Sequence, residues 1–112
     1  MSPQRQQAFN RGGVWRYEFE EGAAPKPAVI VSANGRNHSR WPVVHIVRVT
    51  TAPKDERPTV IPVPAGECVK GSILCDELYP AYKEDLGKQL GALSPGVMRQ
   101  VDNGLRAMLG LA

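Results

Sequence analysis

The alternation and clustering of apolar residues predict a series of short β-strands. Residues 12–20 alternate, with Trp15, Tyr17 and Phe19 on one face, which is typical of a half-buried strand whose inner face is aromatic. Residues 27–33 are a short, continuous, β-branched apolar run. Such a run indicates a strand that is buried on both faces.

Three further strands, and a fourth short one after a helical turn, are predicted along the rest of the chain. Residues 41–51 and 71–80 are predicted strands, and 59–66 is a strand whose two prolines mark it as a sheet edge. Residues 83–93 fit one helical turn that leads into a short strand.

The last part of the chain predicts a helix. Ser94 is a suitable N-cap, Pro95 suits the first helical position and Gly110 is a plausible stop. Asp102 and Arg106 are spaced as an i,i+4 ion pair. Apolar residues recur on the other face at helical spacing: Val97, Val101, Leu105 and Met108 or Leu109.

Length and composition suit one small domain. The chain has 112 residues, of which 42% are hydrophobic and 6% aromatic, so it supports a core but no extensive aromatic base-stacking platform. We expect a loose polar arm at 1–10 and a single domain at 11–112. Five or six short strands closed by a terminal helix predict a small, mostly antiparallel barrel.

Charge and cysteine usage narrow the functional classes only slightly. The net charge of +3 permits a polyanionic partner without requiring one. Cys68 and Cys75 are too far apart for a CxxC motif and have no nearby histidine, so we expect reduced core or edge thiols in a cytoplasmic protein. The chain shows neither a signal-peptide pattern nor a run of about 18 apolar residues.

Five motifs in order resemble the MazF/PemK family of toxin endoribonucleases. They are RGGVW, KPAVIVS, VVHIVRVTT, SILCDEL and the terminal LGALSPGVMRQVDNGLRAMLGL. The family pattern has RGD-[VI]-[WY], then RP followed by an apolar strand, a strand ending in [IV]-T-[ST], one ending near CDQ, and a helix after Leu-Ser-Pro. The resemblance runs from about residue 11 to the end.

The resemblance implies an SH3-like, CcdB/MazF-like barrel that dimerises and cleaves single-stranded RNA, including mRNA, without a metal or other cofactor. It also implies neutralisation by a small MazE-like antitoxin with a disordered tail. In such chemistry the 2′-hydroxyl attacks the adjacent phosphorus and leaves a 2′,3′-cyclic phosphate and a 5′-hydroxyl. The protein must hold the phosphate, stabilise charge and move protons.

Four residues become candidates for catalysis. The resemblance places the family's strand-two arginine at Lys26, its strand-three threonine at Thr50, and the aspartate that one branch uses at Asp76. Arg48 shares a face with Thr50 by the two-residue period of a strand. Asp76 could be a base or hold a cation in place. Each residue also has an ordinary reading: an exposed lysine, a strand-end threonine, a solvated arginine, and a carboxylate that caps a turn or pairs with an arginine.

The loop after the second strand supplies the candidates for RNA binding. The resemblance implies that this loop lies beside the active site. Arginine suits phosphates, and asparagine and histidine can read the edges of unpaired bases. Trp41 could stack on a base or anchor the next strand, and His38 is a further candidate for proton transfer. The set is Asn34, Arg36, Asn37, His38, Arg40 and Trp41.

Several positions depart from the family pattern. Lys26 lacks the planar fork of arginine, Gly13 stands in place of an aspartate, and Leu74 stands where the aspartate-using branch has an arginine. The segment between the first two strands is also several residues short. Two alternatives therefore stay open: a gyrase-binding toxin like CcdB, which the terminal MLGLA does not favour, and a catalytically degenerate barrel that binds RNA or an antitoxin.

Overall fold

The computed structural model describes residues 8–112, which form one antiparallel six-stranded sheet curled into a half-barrel and a C-terminal helix. The order across the sheet is β4-β5-β3-β2-β1-β6. The predicted barrel of five to six strands with a terminal helix is confirmed. The strands are β1 (Gly13–Tyr17), β2 (Lys26–Ile30), β3 (Val43–Thr50), β4 (Val60–Pro62), β5 (Ser72–Tyr82) and β6 (Gln89–Ala92).

Every segment predicted as a strand contains one, although most are shorter than expected. The two prolines correctly marked the fourth strand, because β4 lies at the edge of the sheet. A 3-10 turn, Lys83–Asp85, precedes β6 as expected. β2 ends at Ile30, and the loop that follows it contains one helical turn, α1 (Asn34–Asn37).

The terminal helix α2 (Pro95–Leu109) has the caps that its sequence predicts. The Ser94 hydroxyl accepts a hydrogen bond from the Val97 amide at 3.4 Å, and Gly110 ends the helix at φ 73°. Val97, Val101 and Gly104 are its buried residues. The helix packs on β4 and β5.

The strands of the half-barrel bury side chains on both faces. The cluster under α2 contains Val14, Val29 and Val47, and the cluster on the other face contains Trp15, Ile30 and Ile46. The expectation that only the aromatic face of the first strand is buried is therefore wrong. Val14 is fully buried because α2 covers that face of the curled sheet.

The two cysteines lie in different environments. Cys75 is buried in the cluster under α2, and Cys68 is exposed. Burial, and then the nearby Asp76 charge, raise the pKa of the Cys75 thiol to about 11. Cys75 is therefore a neutral core side chain at ordinary pH.

The predicted arm at 1–10 lies mainly outside the described residues. Of its last three residues, Phe9 stacks on Trp15 at 4.9 Å between ring centroids. The Asn10 carbonyl accepts a hydrogen bond from the Gly13 amide at 2.9 Å. Within 8–112, no helix combines the length and apolar character needed to cross a membrane.

Candidate active site

Lys26, Arg48 and Thr50 lie on one face of the sheet where β2 begins and β3 ends. Ala28 pairs with Arg48 in the β2–β3 ladder. The ladder ends at this pair. Lys26 lies two residues before Ala28 on β2, and Thr50 lies two residues after Arg48 on β3, so both lie just beyond the ladder on the same face. The two cations and the hydroxyl predicted as one site therefore share a face, as the strand period required.

Arg48 is held by a carboxylate that the sequence analysis did not select. Its Nη1 lies 3.5 Å from Oε1 of Glu77. The Tyr79 hydroxyl donates a hydrogen bond to the same Oε1 at 3.3 Å. The Nε of Arg48 is buried and has no hydrogen-bond partner among the described residues. Nε itself is closed to a ligand, but the side chain is 35% exposed, so the terminal nitrogens of Arg48 keep donor capacity for one.

Aromatic rings form a wall beside these charges. The Arg48 guanidinium lies 5.8 Å from the centroid of the Phe19 ring, within the range of a cation–π contact. Phe19 packs edge-on against Tyr17 and Tyr79 at 4.9 and 5.3 Å. Tyr17 pairs with Lys26 across β1 and β2. The wall thus reaches from the Arg48 side of the site to the Lys26 side.

Desolvation, and then the Glu77 charge, raise the pKa of the Tyr79 phenol above its ordinary value. Tyr79 therefore remains a neutral hydrogen-bond donor at ordinary pH. It can hold the Glu77 carboxylate but is not itself a base there.

The turn that leads into β5 fixes the backbone at Thr50. Gly71 has φ +113°, and a Cβ atom at this position would collide with the Thr50 carbonyl oxygen. The side-chain hydroxyl of Thr50 accepts a hydrogen bond from the Ala52 amide at 3.1 Å and can still donate one. A glycine at position 71 thus permits the close approach that places Thr50.

Asp76 is directed away from Arg48. Its Oδ2 accepts a hydrogen bond from the Thr59 hydroxyl at 2.7 Å and lies 3.7 Å from Nη1 of Arg57. Asp76 therefore contacts the segment before β4, whereas the adjacent Glu77 contacts the cation at the centre of the site.

A local irregularity in β5 causes this difference between neighbours. Val47 pairs with Leu78, but the next residue, Arg48, pairs with Leu74. Three residues of β5 therefore bulge opposite a single step of β3. Regular alternation could not locate Glu77 or Tyr79. The available signal was that Glu77 replaces the glutamine of the family's CDQ pattern.

The loop after β2 lies at the other end of the β2–β3 hairpin. Lys26 begins β2, and Ser32 is the sixth residue after it, about 20 Å away in an extended strand. The expectation that this loop adjoins the candidate catalytic residues is wrong within one chain. The loop lies at one end of the β2–β3 hairpin, and Lys26 and Thr50 lie at the other end.

Asn37 is used inside the loop. It is 1% exposed, and its Oδ1 accepts a hydrogen bond from the Ser32 hydroxyl at 2.5 Å. Its Nδ2 donates to the Ser32 carbonyl at 2.8 Å and to Oδ1 of Asn34 at 3.2 Å. In this conformation Asn37 shapes the loop, and its amide is turned away from solvent.

The other polar side chains of the loop face solvent. Arg36 lies 5.5 Å from the centroid of Trp41, which is 53% exposed. His38 shares a 2.7 Å hydrogen bond with Oδ1 of Asn10. Arg40 is exposed. The loop thus offers two arginines, a histidine and an indole ring on one short surface segment.

The site contains no obvious cage for a metal ion. Throughout residues 8–112, the His, Cys, Asp and Glu side chains form no group of three or more that could hold one. The site combines two cations, a hydroxyl, a carboxylate and a phenol at the accessible end of one sheet face, beside an aromatic wall. This set defines a class of small β-barrel with a surface suited to a phosphodiester.

Comparison with known proteins agrees with this class. Residues 10–109 match the profile of the PemK-like, MazF-like toxins of type II toxin–antitoxin systems. The chain belongs to this family.

Curated relatives and a solved structure agree. The chain is 35% identical to Endoribonuclease MazF1 of Mycobacterium bovis and to Endoribonuclease MazF4 of Mycobacterium tuberculosis, over 90% of this chain and 92% of each relative. A solved mycobacterial endoribonuclease in complex with its cognate antitoxin has a TM-score of 0.85 and 32% identity, covering 92% of this chain and 96% of that one.

Proposed function

We propose that this protein is the toxin of a type II toxin–antitoxin system and acts as a metal-independent, sequence-selective endoribonuclease on single-stranded RNA such as mRNA. The observation that carries the proposal is that Lys26, Arg48 and Thr50 share one face of the sheet, where Lys26 is exposed and the other two are half-buried. Family membership and the mycobacterial endoribonuclease relatives support it.

In this proposal the RNA supplies its own nucleophile. The 2′-oxygen attacks the adjacent phosphorus, the bond to the 5′-oxygen breaks, and the products carry a 2′,3′-cyclic phosphate and a 5′-hydroxyl. Arg48 and Thr50 bind the non-bridging phosphate oxygens and stabilise their added charge. Lys26 protonates the departing 5′-oxygen. No cofactor takes part in these steps.

Asp76 has a supporting role in this account. Its contacts with Thr59 and Arg57 hold the segment before β4 next to β5. Arg57 is half exposed, so the pair also keeps a further cation near the RNA path. Asp76 thereby orders the rim of the site.

The loop after β2 would bind nucleotides at a distance from the cut. Because about 20 Å of strand separates it from Lys26, its contacts fall on RNA that runs along the hairpin or across a second protomer. Arg36 and Arg40 would bind phosphates, and Asn34, His38 and Trp41 would contact bases. Asn37 would act by holding the loop in shape.

Two protein partners complete the proposal. A solved relative is an endoribonuclease in complex with its cognate antitoxin, and we infer a MazE-like antitoxin for this chain. We also infer a homodimer, because Tyr82, Leu109 and Leu111 are large apolar side chains left exposed by the single chain. The toxin would act in the cytoplasm, where its mRNA substrate is.

The direct test is cleavage of a long single-stranded RNA in excess EDTA, with mapping of the 5′ ends. We expect discrete cuts with 5′-hydroxyl ends and loss of these cuts by at least about 100-fold in Lys26→Ala, since a proton-transfer residue contributes about 10²–10⁴ in rate. Arg106→Ala is the matched control, because it removes an exposed cation from α2. It should cleave as the unsubstituted protein does.

Two other results would contradict the proposed function or the role of Lys26 in it. An absence of cuts in several RNAs would favour the gyrase-binding or binding-only alternatives. Cuts that persist in Lys26→Ala would support the endoribonuclease function but would assign the general-acid role to another residue.

A further inference from the structure

The proposed reaction needs a base for the 2′-hydroxyl proton, and the roles assigned above do not supply one. Lys26 and Arg48 are cations, and Thr50 has a neutral hydroxyl. The base must be a group on the same face, within reach of a nucleotide whose phosphate lies on Arg48. Two carboxylates of the β5 bulge, Asp76 and Glu77, come into question.

The contacts of the two carboxylates separate them. Asp76 is engaged by Thr59 and Arg57 beside β4. Glu77 contacts Arg48 and Tyr79, and both of these side chains touch Phe19. Only Glu77 of the two is therefore in contact with the cation proposed to bind the scissile phosphate.

Glu77 has an oxygen left for proton transfer. Both of its contacts, with Arg48 and Tyr79, are made by Oε1. Its Oε2 makes no hydrogen bond within the part of the chain that the structure describes, and the side chain is 31% exposed. One oxygen is thus held in place while the other is accessible to a ligand.

The ion pair is loose enough to rearrange when RNA binds. The 3.5 Å separation between Arg48 and Glu77 exceeds the usual 2.7–2.9 Å, roughly, of a charge-assisted hydrogen bond. A phosphate oxygen offers Arg48 a second anionic acceptor, and the Arg48 side chain is 35% exposed. Phosphate binding therefore draws the guanidinium from Oε1 without breaking a tight pair.

The order of strands places Glu77 opposite the proposed acid. β3 lies between β5, which carries Glu77, and β2, which carries Lys26. A phosphate held on Arg48 and Thr50 of β3 thus has a carboxylate on one side and an ammonium group on the other. In-line displacement requires the attacking and leaving oxygens on opposite sides of the phosphorus.

We propose that Glu77 is the general base of this site, an assignment that rests on the endoribonuclease function proposed above. Glu77 Oε2 takes the proton of the 2′-hydroxyl, and the 2′-oxygen forms a bond to phosphorus. The bond between phosphorus and the 5′-oxygen breaks, and the 5′-oxygen takes a proton from the Lys26 ammonium group. Tyr79 is a positioning residue that holds Oε1 of Glu77.

The test is the pH dependence of single-turnover RNA cleavage by Glu77→Gln. The amide oxygen can still accept from Arg48 and Tyr79, but the amide cannot take a proton. We expect the rate to fall by about 10²–10⁴-fold and the acidic limb of the pH–rate profile to disappear. Binding of the same RNA with a 2′-deoxy nucleotide at the cut should stay within about threefold, which shows that the variant is folded.

Two further variants sharpen the assignment. Glu84→Gln makes the same chemical change at an exposed position of the 3-10 turn and should keep the full rate and profile. Glu77→Asp keeps a carboxylate one methylene shorter and should retain the acidic limb at a reduced rate.

Three results would overturn the proposal. Glu77→Gln that cleaves within about threefold of the unsubstituted protein would show that the residue only holds Arg48. Loss of the acidic limb in Asp76→Asn, with the limb kept in Glu77→Gln, would assign the base to Asp76. A protein that cuts no RNA would refute the endoribonuclease function itself, whereas either of the first two outcomes leaves that function standing.

Discussion

Asp102 shows how a long-range partner can override a local one. Its spacing from Arg106 predicts an i,i+4 pair, but Asp102 lies 2.7 Å from Nη2 of Arg11, and Arg106 instead donates to Oδ1 of Asn103. Arg11 also donates to the Val31 carbonyl at 2.8 Å. The expected pair is wrong because folding brings residue 11 to the helix, which spacing within the helix cannot reveal.

Asn37 gives a test at the scale of one residue. Its amide joins Ser32 and Asn34, and the Ser32 hydroxyl in turn accepts from the His45 amide at 3.0 Å. Asn37→Ala would remove the buried amide and leave the half-buried Ser32 without two of its hydrogen bonds, so we expect the free energy of unfolding to fall by about 1–3 kcal/mol. Urea unfolding measures this change.

Arg40→Ala in the same loop is the control. Arg40 is exposed, so its replacement should change the free energy of unfolding by less than about 0.5 kcal/mol. Equal stability of the two variants would contradict the structural role of Asn37.

At the scale of elements, the residues that cap the helix ends predicted the limits of α2. Ser94, Pro95 and Gly110 set the limits of α2, since each acts through a backbone requirement at its own position. The β5 bulge carried no comparable signal. Its extra residues are defined only by the pairing of β5 with β3, so Glu77 could not be placed from spacing alone.

Gly104 gives a test of helix packing. A Cβ at this position would lie 2.7 Å from Sγ of Cys75 and 3.3 Å from Cδ1 of Ile61. Alanine adds about 1 kcal/mol of helix propensity, but overpacking a core costs about 1–3 kcal/mol. We expect Gly104→Ala to lower the free energy of unfolding by about 1 kcal/mol in thermal or urea unfolding.

Gly96→Ala is the matched control on the same helix. The nearest atom to its added Cβ is a terminal nitrogen of Arg99 at 3.7 Å, an ordinary contact. This variant should be as stable as the unsubstituted protein or more so. A stabilised Gly104→Ala would show that α2 can move off Cys75 at little cost.

At the scale of the whole molecule, the sequence predicted which candidate residues share a face of the sheet. It did not predict at which end of the β2–β3 hairpin the loop lies relative to them. The two-residue period placed Arg48 and Thr50 together, and the ladder adds Lys26. The position of the loop relative to these residues depends on which end of β2 it follows. The resemblance implies a loop beside the site. In the structure, the length of β2 lies between this loop and Lys26.

Exposed apolar side chains lead to a prediction about assembly. Tyr82 and Leu111 are 56% and 61% exposed, and both would be better covered by a second chain. We expect light scattering of the purified toxin without antitoxin to give about twice the 12.2 kDa chain mass. A monomer at micromolar concentration would contradict the inferred homodimer.

The proposed function requires that Lys26, Arg48 and Thr50 direct a 2′-hydroxyl against its own phosphodiester. The most direct measurement uses a DNA oligonucleotide with a single ribonucleotide at the mapped cut, incubated with the protein in excess EDTA. We expect cleavage only after that ribonucleotide, with a 5′-hydroxyl on the downstream fragment, and no cleavage of the all-DNA oligonucleotide. Cleavage of the all-DNA strand, or a 5′-phosphate on the product, would contradict the proposed function.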